Sequence, residues 1–231
     1  MRVFGLVSVL LLSTAAPLKS EQTHNRSNWE AVGRLNISGR TMCTGALIAP
    51  DLVVTAAHCM FDPTSGKSVA ATDIVFDAGL HNGHVKARRK VQSATIHPAY
   101  RHKPRGQADV GSDLAVLKLK KPISAHLIRP FATDARPNRG DTVGVVSYTM
   151  DQATTQSVEH PCQVLARQHD TLVMSCKVEF GASGAPVFAV QGESEPRLVS
   201  VISSKAQMGN RRVSVGTAVD DALQVLLNDA S

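Results

Sequence analysis

The amino-acid sequence predicts an all-β fold that ends in one helix, and two observations lead to this prediction. Short apolar segments, mostly rich in Val, Leu and Ile, alternate along the chain with turn-forming Gly, Pro, Asn, Asp and Ser. Residues 219–229 depart from that pattern, because their apolar residues recur at helical spacing behind two aspartates. No long linker or internal repeat stands out, and 231 residues are enough to bury a substantial core.

The predicted strands are short, and turn-forming residues bound most of them. They cover residues 46–49, 52–54, 114–117, 142–146, 163–166, 186–190 and 198–202. Residues 163–175 contain a turn-prone triplet at 168–170 and are predicted to form a hairpin. The helix over residues 219–229 then completes the predicted elements.

The first twenty residues, MRVFGLVSVLLLSTAAPLKS, have the layout of a secretory signal peptide. One Arg precedes an apolar run over residues 3–12, small residues follow it, and the run is too short to span a membrane. The alternative is a buried N-terminal strand or helix. We expect a signal peptide at 1–20, a short pro-segment or disordered N-terminus at 21–28, and a folded domain at 29–231 of a secreted or periplasmic protein.

Charge and composition favour an ordinary globular protein over a nucleic-acid-binding one. The apolar content is 43% and the formal net charge is +6, which falls to +4 without the signal peptide because residues 1–20 carry Arg2 and Lys19 and no acid. Basic clusters at residues 86–90 and 101–105 are interpreted as solvated faces. Nucleic-acid binding is the weaker alternative for them.

Four cysteines, at positions 43, 59, 162 and 176, suit an exported chain with two disulfides. Zinc binding is the rival interpretation, but there is no CxxC pair, and the spacings do not suit a compact four-ligand site. If Cys43 pairs with Cys59, the bridge closes a loop of about 16 residues, worth about 3 kcal/mol in the chain-entropy model. Cys162 and Cys176 then remain for the second bridge. His81 and His84, three residues apart beside a glycine, are interpreted as a surface turn.

Three segments carry residue types suited to nucleophilic catalysis. His58 ends a predicted strand in VVTAAHC, and imidazole exchanges protons near neutral pH. Asp113 begins the apolar segment DLAVLKL, where a buried carboxylate needs a partner such as a histidine N–H. Asp109 is the nearby alternative for the acid, but it does not precede a strand and is interpreted as a loop residue. Ser183 lies in FGASGAPV, which could also be a simple tight turn. Each residue alone has a structural explanation, as a core histidine, a capping acid and a turn serine.

Together these segments resemble the signature regions of the chymotrypsin/trypsin-like serine proteases. The matching stretches are CTGALIAPDLVVTAAHC (43–59), TIHPAY (95–100), SDLAVLKL (112–119) and GASGAPV (181–187). The resemblance runs from about Trp29 to the C-terminal helix and is strongest to the bacterial trypsin-like and glutamyl-endopeptidase-like branch. It implies two six-stranded antiparallel β-barrels, dividing near residues 120–140, with a C-terminal helix.

The resemblance also implies a mechanism and its residues. Ser183 would be the nucleophile, His58 the general base and acid, Asp113 the residue that orients it, and the N–H groups of Gly181 and Ser183 the oxyanion hole. The implied enzyme is a monomeric endopeptidase that needs no metal or cofactor and acts on proteins or peptides. A protein inhibitor is a further partner that the resemblance allows. The alternatives are a protease-like binding module without catalysis and an esterase with the same chemistry.

One position departs from the family pattern beside the nucleophile. Animal members usually have Asp immediately before the serine, where it pairs with the ammonium group released by zymogen cleavage. This chain has Ala182 there. We therefore expect no activation by insertion of a new N-terminus.

The substrate pocket also departs from the pattern. The resemblance places Lys177 near its base and Ser203, Ser204 and Lys205 along its wall. The two lysines favour acidic substrate side chains by charge complementarity. Against this, Glu179 is close in sequence, and the pocket histidine of glutamyl endopeptidases is missing, so the specificity stays open.

Overall fold

The computed structural model describes residues 29–103, 109–134, 137–189 and 195–229. The predicted signal peptide and the segment at residues 21–28 lie outside these ranges. Within them, twelve strands form two closed six-stranded barrels in which every paired strand is antiparallel. One C-terminal helix follows, so the predicted fold class is confirmed.

The first barrel has the strand order β1-β2-β3-β6-β5-β4. Its strands are β1 (Val32–Ile37), β2 (Thr41–Ala49), β3 (Leu52–Thr55), β4 (Ile74–Ala78), β5 (Ala87–Ile96) and β6 (Ala115–Leu119). The second barrel has the order β10-β11-β12-β9-β8-β7. Its strands are β7 (Thr142–Thr149), β8 (Gln152–Gln168), β9 (Thr171–Met174), β10 (Pro186–Ala189), β11 (Arg197–Met208) and β12 (Arg211–Ala218).

Four strands were not among the predicted segments, namely β1, β4, β5 and β12. Polar residues interrupt their apolar runs, as in VGRLNI of β1, where buried and half-buried positions alternate along part of the strand. In β5 two buried positions lie among exposed and half-buried ones. In β1 and β5 the interrupting polar residues are half-buried or exposed, as expected on the outer face of a closed barrel. In β4 and β12, Asp77, Ser214 and Thr217 are buried polar residues that interrupt the apolar run.

The basic cluster at residues 86–90 is more than a solvated face. Lys86 pairs with Glu30, and Arg88 reaches the buried carboxylate of Asp77, which also accepts a hydrogen bond from Arg34. Its charges therefore tie the neighbouring strands together. In the second cluster, residues 101–103 are described, and 104–105 lie outside the described ranges.

Helix α1 (Asp220–Asp229) confirms the predicted terminal helix and packs against the first barrel. It buries Ala222, Leu223 and Leu226 beside β5 and β6, although it follows the last strand of the second barrel. The chain therefore returns across the molecule after completing both barrels. No helix in the described residues is long and apolar enough to span a membrane.

Aromatic and polar contacts join the two barrels. The rings of Trp29, Phe131 and Phe188 pack with centroids 4.5 to 6.3 Å apart. Tyr148 of β7 is fully buried, and its hydroxyl donates to the backbone carbonyl of Leu80 at 2.8 Å. These contacts hold the barrels in one arrangement and so define the cleft between them.

Candidate active site

His58 lies where the first barrel meets the cleft. It follows β3 in a short 3-10 helix (Ala57–Met60). Cys59 is bonded to Cys43 of β2, so the backbone on the far side of the histidine is anchored to a neighbouring strand. The imidazole is half-buried, with 27% of its side chain exposed. It is therefore held by the scaffold and still reachable from the cleft.

Asp113 precedes β6 and is fully buried. Its Oδ2 lies 2.7 Å from His58 Nδ1, and its Oδ1 accepts the backbone N–H of His58 at 2.8 Å. A carboxylate only accepts hydrogen bonds, so Nδ1 carries the proton in this pair. The other ring nitrogen, Nε2, lies 4.0 Å from Cys59 Sγ of the disulfide, and as the unprotonated nitrogen it can accept a proton from a hydroxyl group.

Two further residues surround this carboxylate. The buried hydroxyl of Ser203 also donates to Oδ2 of Asp113. Tyr100 is buried as well, and burial, followed by the charge of Asp113, raises the pKa of its phenol above the ordinary value. The phenol therefore stays neutral beside the carboxylate. The buried carboxylate of Asp113 thus accepts three hydrogen bonds, from the backbone N–H and the Nδ1–H of His58 and from the Ser203 hydroxyl. A buried carboxylate without such donors would be costly.

Ser183 lies in the turn before β10 and is half-buried. Both barrels hold its backbone. The Thr44 N–H of β2 donates to the Ser183 carbonyl at 2.8 Å, and the next N–H, that of Gly184, donates to Ile202 of β11 at 2.7 Å. Gly184 has φ +78°, and a Cβ there would lie 2.3 Å from the Thr44 carbonyl oxygen, so only glycine fits.

Gly181 presents its N–H toward the cleft. The Phe180 carbonyl accepts the Met150 N–H at 2.8 Å, so the N–H of the same peptide unit, that of Gly181, points the opposite way. The Gly181 carbonyl in turn accepts the buried Thr44 hydroxyl at 3.0 Å. Within the described part of the chain, neither the Gly181 nor the Ser183 N–H donates to a protein acceptor. Two donors are thus held ready for an incoming oxygen.

A cleft of about 650 Å³ joins these residues. Gly181, Ser183 and His58 all line it, together with the Cys43–Cys59 bridge. Phe180 and Met150 form an exposed apolar edge beside it. The cleft is large enough for an extended chain segment to pass over the serine.

The predicted pocket residues divide between two smaller cavities. Ser203, Ser204 and Lys205 line one of about 260 Å³ together with Ser183. Lys177 does not line that cavity. It is exposed and borders an adjoining cavity of about 310 Å³, so it is not at the base of the space next to the serine.

Arg212 and Thr44 are two site residues that the sequence did not indicate. Arg212 borders the second cavity, and Thr44 hydrogen-bonds the serine loop from the other barrel. Each is far in sequence from the residues of the site that it contacts; Thr44 lies within the matching stretch at 43–59, which gave it no role, and Arg212 lies in none of the matching stretches. No local signal indicated the role of either residue.

Ala182 and the second pair of cysteines lie in the core of the second barrel. Ala182 is fully buried between the glycine and the serine, among apolar neighbours. Cys162 is bonded to Cys176, which closes the hairpin of β8 and β9 on the way to the serine loop. This bridge therefore braces the strand pair that leads to Ser183.

One group of three residues has donor atoms close enough together to hold a metal ion in the described residues. It consists of Cys43, His58 and Cys59. The two sulfur atoms are bonded to each other. The histidine is therefore the one donor that this group offers in the disulfide state.

Sequence comparison relates the chain to known proteins. The Trypsin family model matches residues 19–226. The chain is 39% identical over 98 residues to a trypsin-like protease of Streptomyces glaucescens, covering 42% of this chain and 32% of that protein. It is 31% identical over 108 residues to a trypsin of Saccharopolyspora erythraea, covering 47% and 44%. It thus spans less than half the length of these curated relatives.

Solved structures share the fold. A Glu endopeptidase in complex with MPD superposes with a TM-score of 0.71 at 18% identity, covering 87% of this chain and 90% of that one. A thermostable serine protease, AL20, from an extremophilic microorganism superposes with a TM-score of 0.71 at 17% identity, covering 89% and 98%. At these identities the likeness shows the two-barrel architecture.

Proposed function

Because the chain belongs to the trypsin family of serine proteases, we propose that it is an exported endopeptidase that cuts peptide bonds through Ser183, His58 and Asp113. One observation carries the proposal. His58 Nδ1 lies 2.7 Å from Oδ2 of the buried Asp113 carboxylate, and the His58 ring lines the same cleft as Ser183. This arrangement supports a base positioned to activate a serine hydroxyl.

Acylation is the first chemical step. The Ser183 Oγ attacks the carbonyl carbon of the substrate while His58 Nε2 takes its proton, and the carbonyl oxygen becomes an oxyanion. The imidazolium then gives that proton to the amine as the C–N bond breaks. The product is an ester between the substrate acyl group and Ser183.

Hydrolysis of this ester is the second step. Water replaces the departed amine, His58 takes a proton from it, and the resulting hydroxide attacks the ester carbon. The proton returns to Ser183 Oγ as the ester bond breaks. The serine is restored, and the substrate leaves with a new carboxyl group.

Asp113 and Ser203 serve the base without touching substrate. Asp113 keeps the proton on Nδ1, so that Nε2 is left to accept the serine proton, and it stabilises the imidazolium that forms. The Ser203 hydroxyl bonds the same carboxylate and fixes its orientation. Both are positioning residues in this scheme.

Gly181 and Ser183 stabilise the oxyanion with their backbone N–H groups. Neither group donates to another acceptor in the described residues, and the Met150 contact sets the direction of the first. A preorganised donor of this kind lowers the barrier by about 3–4 kcal/mol. The two donors therefore account for a large part of the proposed catalysis.

Export and maturation complete the proposal. We place the signal peptide at residues 1–20, a short pro-segment or disordered stretch at 21–28 and the peptidase domain at 29–231, in a monomer that acts outside the cytoplasm. Two disulfides suit an oxidising compartment. Because buried Ala182 carries no charge, the active state does not depend on an ion pair with a new N-terminus.

Covalent labelling tests the function. The processed protein is treated with a fluorophosphonate or a sulfonyl fluoride, and the modified residue is located by mass spectrometry. We expect labelling at Ser183, loss of labelling and hydrolysis in Ser183→Ala, and unchanged labelling in the exposed control Ser65→Ala. A folded protein that takes no label would instead be a protease-like binding module. Faster turnover of simple esters with no cleavage of peptides would indicate an esterase.

A further inference from the structure

The rim next to Ser183 already holds a carboxylate between two cations. Glu179 accepts a hydrogen bond from Lys205 Nζ at 3.0 Å and from Arg212 Nη1 at 3.1 Å. Lys205, followed by Arg212, holds the pKa of the Glu179 carboxyl below its ordinary value. The chain thus contains a site that binds a carboxylate, occupied by its own side chain.

This ion pair stands at the boundary between two cavities. Glu179 and Lys205 line both the cavity of about 260 Å³ that contains Ser183 and the cavity of about 310 Å³ that contains Arg212 and Lys177. The inner cavity also has an apolar lining from Val178, Ala182 and Ile202. A side chain that enters beside the serine therefore meets apolar surface first and the charged pair next.

The charges at this boundary are not balanced. Lys177, Lys205 and Arg212 face a single carboxylate, that of Glu179, among the residues lining the outer cavity. Lys205 Nζ also lies 3.8 Å from the centroid of the Phe180 ring, which holds the ammonium in place without Glu179. A second carboxylate would be attracted here. A cationic side chain would meet three cations and a carboxylate that already has two partners.

We propose that Lys205 and Arg212, with Lys177 behind them, select an acidic substrate side chain on the amino side of the bond that is cut, and that Glu179 occupies their site until the substrate carboxylate displaces it. This inference rests on the proposed endopeptidase function and names its substrate class. Displacement is easy because the Glu179 ion pairs are exposed to solvent, where such pairs are weak.

Peptides that differ at one position test the preference. Four fluorogenic peptides carry Glu, Gln, Leu or Arg on the amino side of the scissile bond and are otherwise identical. We expect kcat/KM to be about tenfold higher for Glu than for isosteric Gln, since hydrogen bonds to charged groups are strong but partly screened here. The ratio should fall with added salt. Higher kcat/KM for the Arg or Leu peptide would overturn the proposal.

Variants assign the preference to these residues. Lys205→Gln and Arg212→Gln should each lower the Glu-to-Gln ratio about threefold or more, mainly through KM. Glu179→Gln should raise the ratio by a similar factor, because the internal competitor is lost. The matched control is Arg211→Gln, since Arg211 is the exposed neighbour of Arg212 and lines neither cavity. Ratios that do not move in the first three variants would overturn the assignment.

The labelling of Ser183 separates the two ways to fail. Protein that takes the label and cuts peptides without favouring Glu retains the proposed function and refutes the acidic preference. Folded protein that neither takes the label nor cuts any peptide refutes the endopeptidase function, and the preference with it. The label counts the reactive Ser183 in a separate aliquot of each variant, and the unlabelled enzyme is compared at equal concentrations of reactive serine. A poorly folded variant then does not imitate a change in selectivity.

Discussion

Gly181→Ala is the substitution that tests the proposed oxyanion hole most directly. Gly181 has φ +100°, which a residue with a Cβ rarely adopts. A Cβ there would lie 2.9 Å from the Tyr148 oxygen, 3.0 Å from Thr149 Cα and 3.1 Å from Met150 N. All three are backbone atoms that cannot rotate aside. The Phe180–Gly181 peptide must therefore move away from β7, and its N–H moves with it.

Two costs follow from this geometry. The unfavourable φ costs about 1–3 kcal/mol of folding free energy. A displaced oxyanion donor costs about 10²- to 10³-fold in kcat, as measured when one such donor is removed. We expect the kcat of Gly181→Ala to fall by about that factor with a smaller change in KM, because the donor acts on the transition state more than on the bound substrate.

The assay combines urea unfolding with steady-state kinetics, normalised to the concentration of reactive Ser183 that is titrated with the label in a separate aliquot. Gly140→Ala is the matched control, because Gly140 has φ +93° and a Cβ there would have no neighbour within 4 Å. The control should lose stability and keep its kcat. A Gly181→Ala enzyme that unfolds at a lower urea concentration but keeps kcat within about threefold of the wild type would refute the proposal that the Gly181 N–H stabilises the oxyanion.

Two further substitutions test the contacts behind the site. Asp113→Asn should lower kcat about 10⁴-fold, because an amide can hold the imidazole of His58 in the wrong tautomer; a stopped assay over a range of pH measures it. Thr44→Val should lower the free energy of unfolding by about 2 kcal/mol or more, because the Gly181 carbonyl and the Tyr148 N–H lose a buried partner; urea unfolding measures it, with exposed Thr72→Val as control. An Asp113→Asn enzyme at near-normal rate, or a Thr44→Val protein as stable as its control, would contradict the corresponding assignment.

Local sequence was sufficient for much of the fold. The segments around residues 46–54, 114–117 and 198–202 are apolar enough to indicate strands by themselves, and the terminal helix follows from its spacing. The strands β1, β4, β5 and β12 were missed because polar residues break up their apolar runs. Some of these residues are exposed, some join ion pairs such as Arg34 with Asp77, and some are buried, as Ser214 and Thr217 are. Such a strand is stabilised by hydrogen bonds and contacts with neighbouring strands of the barrel, and the sequence of one segment does not show which strands those are.

The candidate residues His58, Asp113 and Ser183 came from motifs, since each lies in a short stretch whose chemistry is visible locally. The sequence by itself therefore determined which side chains were available, which cysteines could pair, and that an alanine precedes the serine. It placed Lys177 at the base of the pocket, and the structure puts it outside the cavity that holds Ser183.

The tertiary structure alone decided how these side chains are held. Thr44 reaches the serine loop across 137 positions of sequence, and Ser203 reaches Asp113 across 90. Glu179 meets Arg212 across 33. Such contacts depend on how the two barrels close and dock, which is set by the packing of many buried residues together. For that reason no short segment contains them, although they hold the Gly181 carbonyl, fix the carboxylate that orients the imidazole, and set the charge beside the nucleophile.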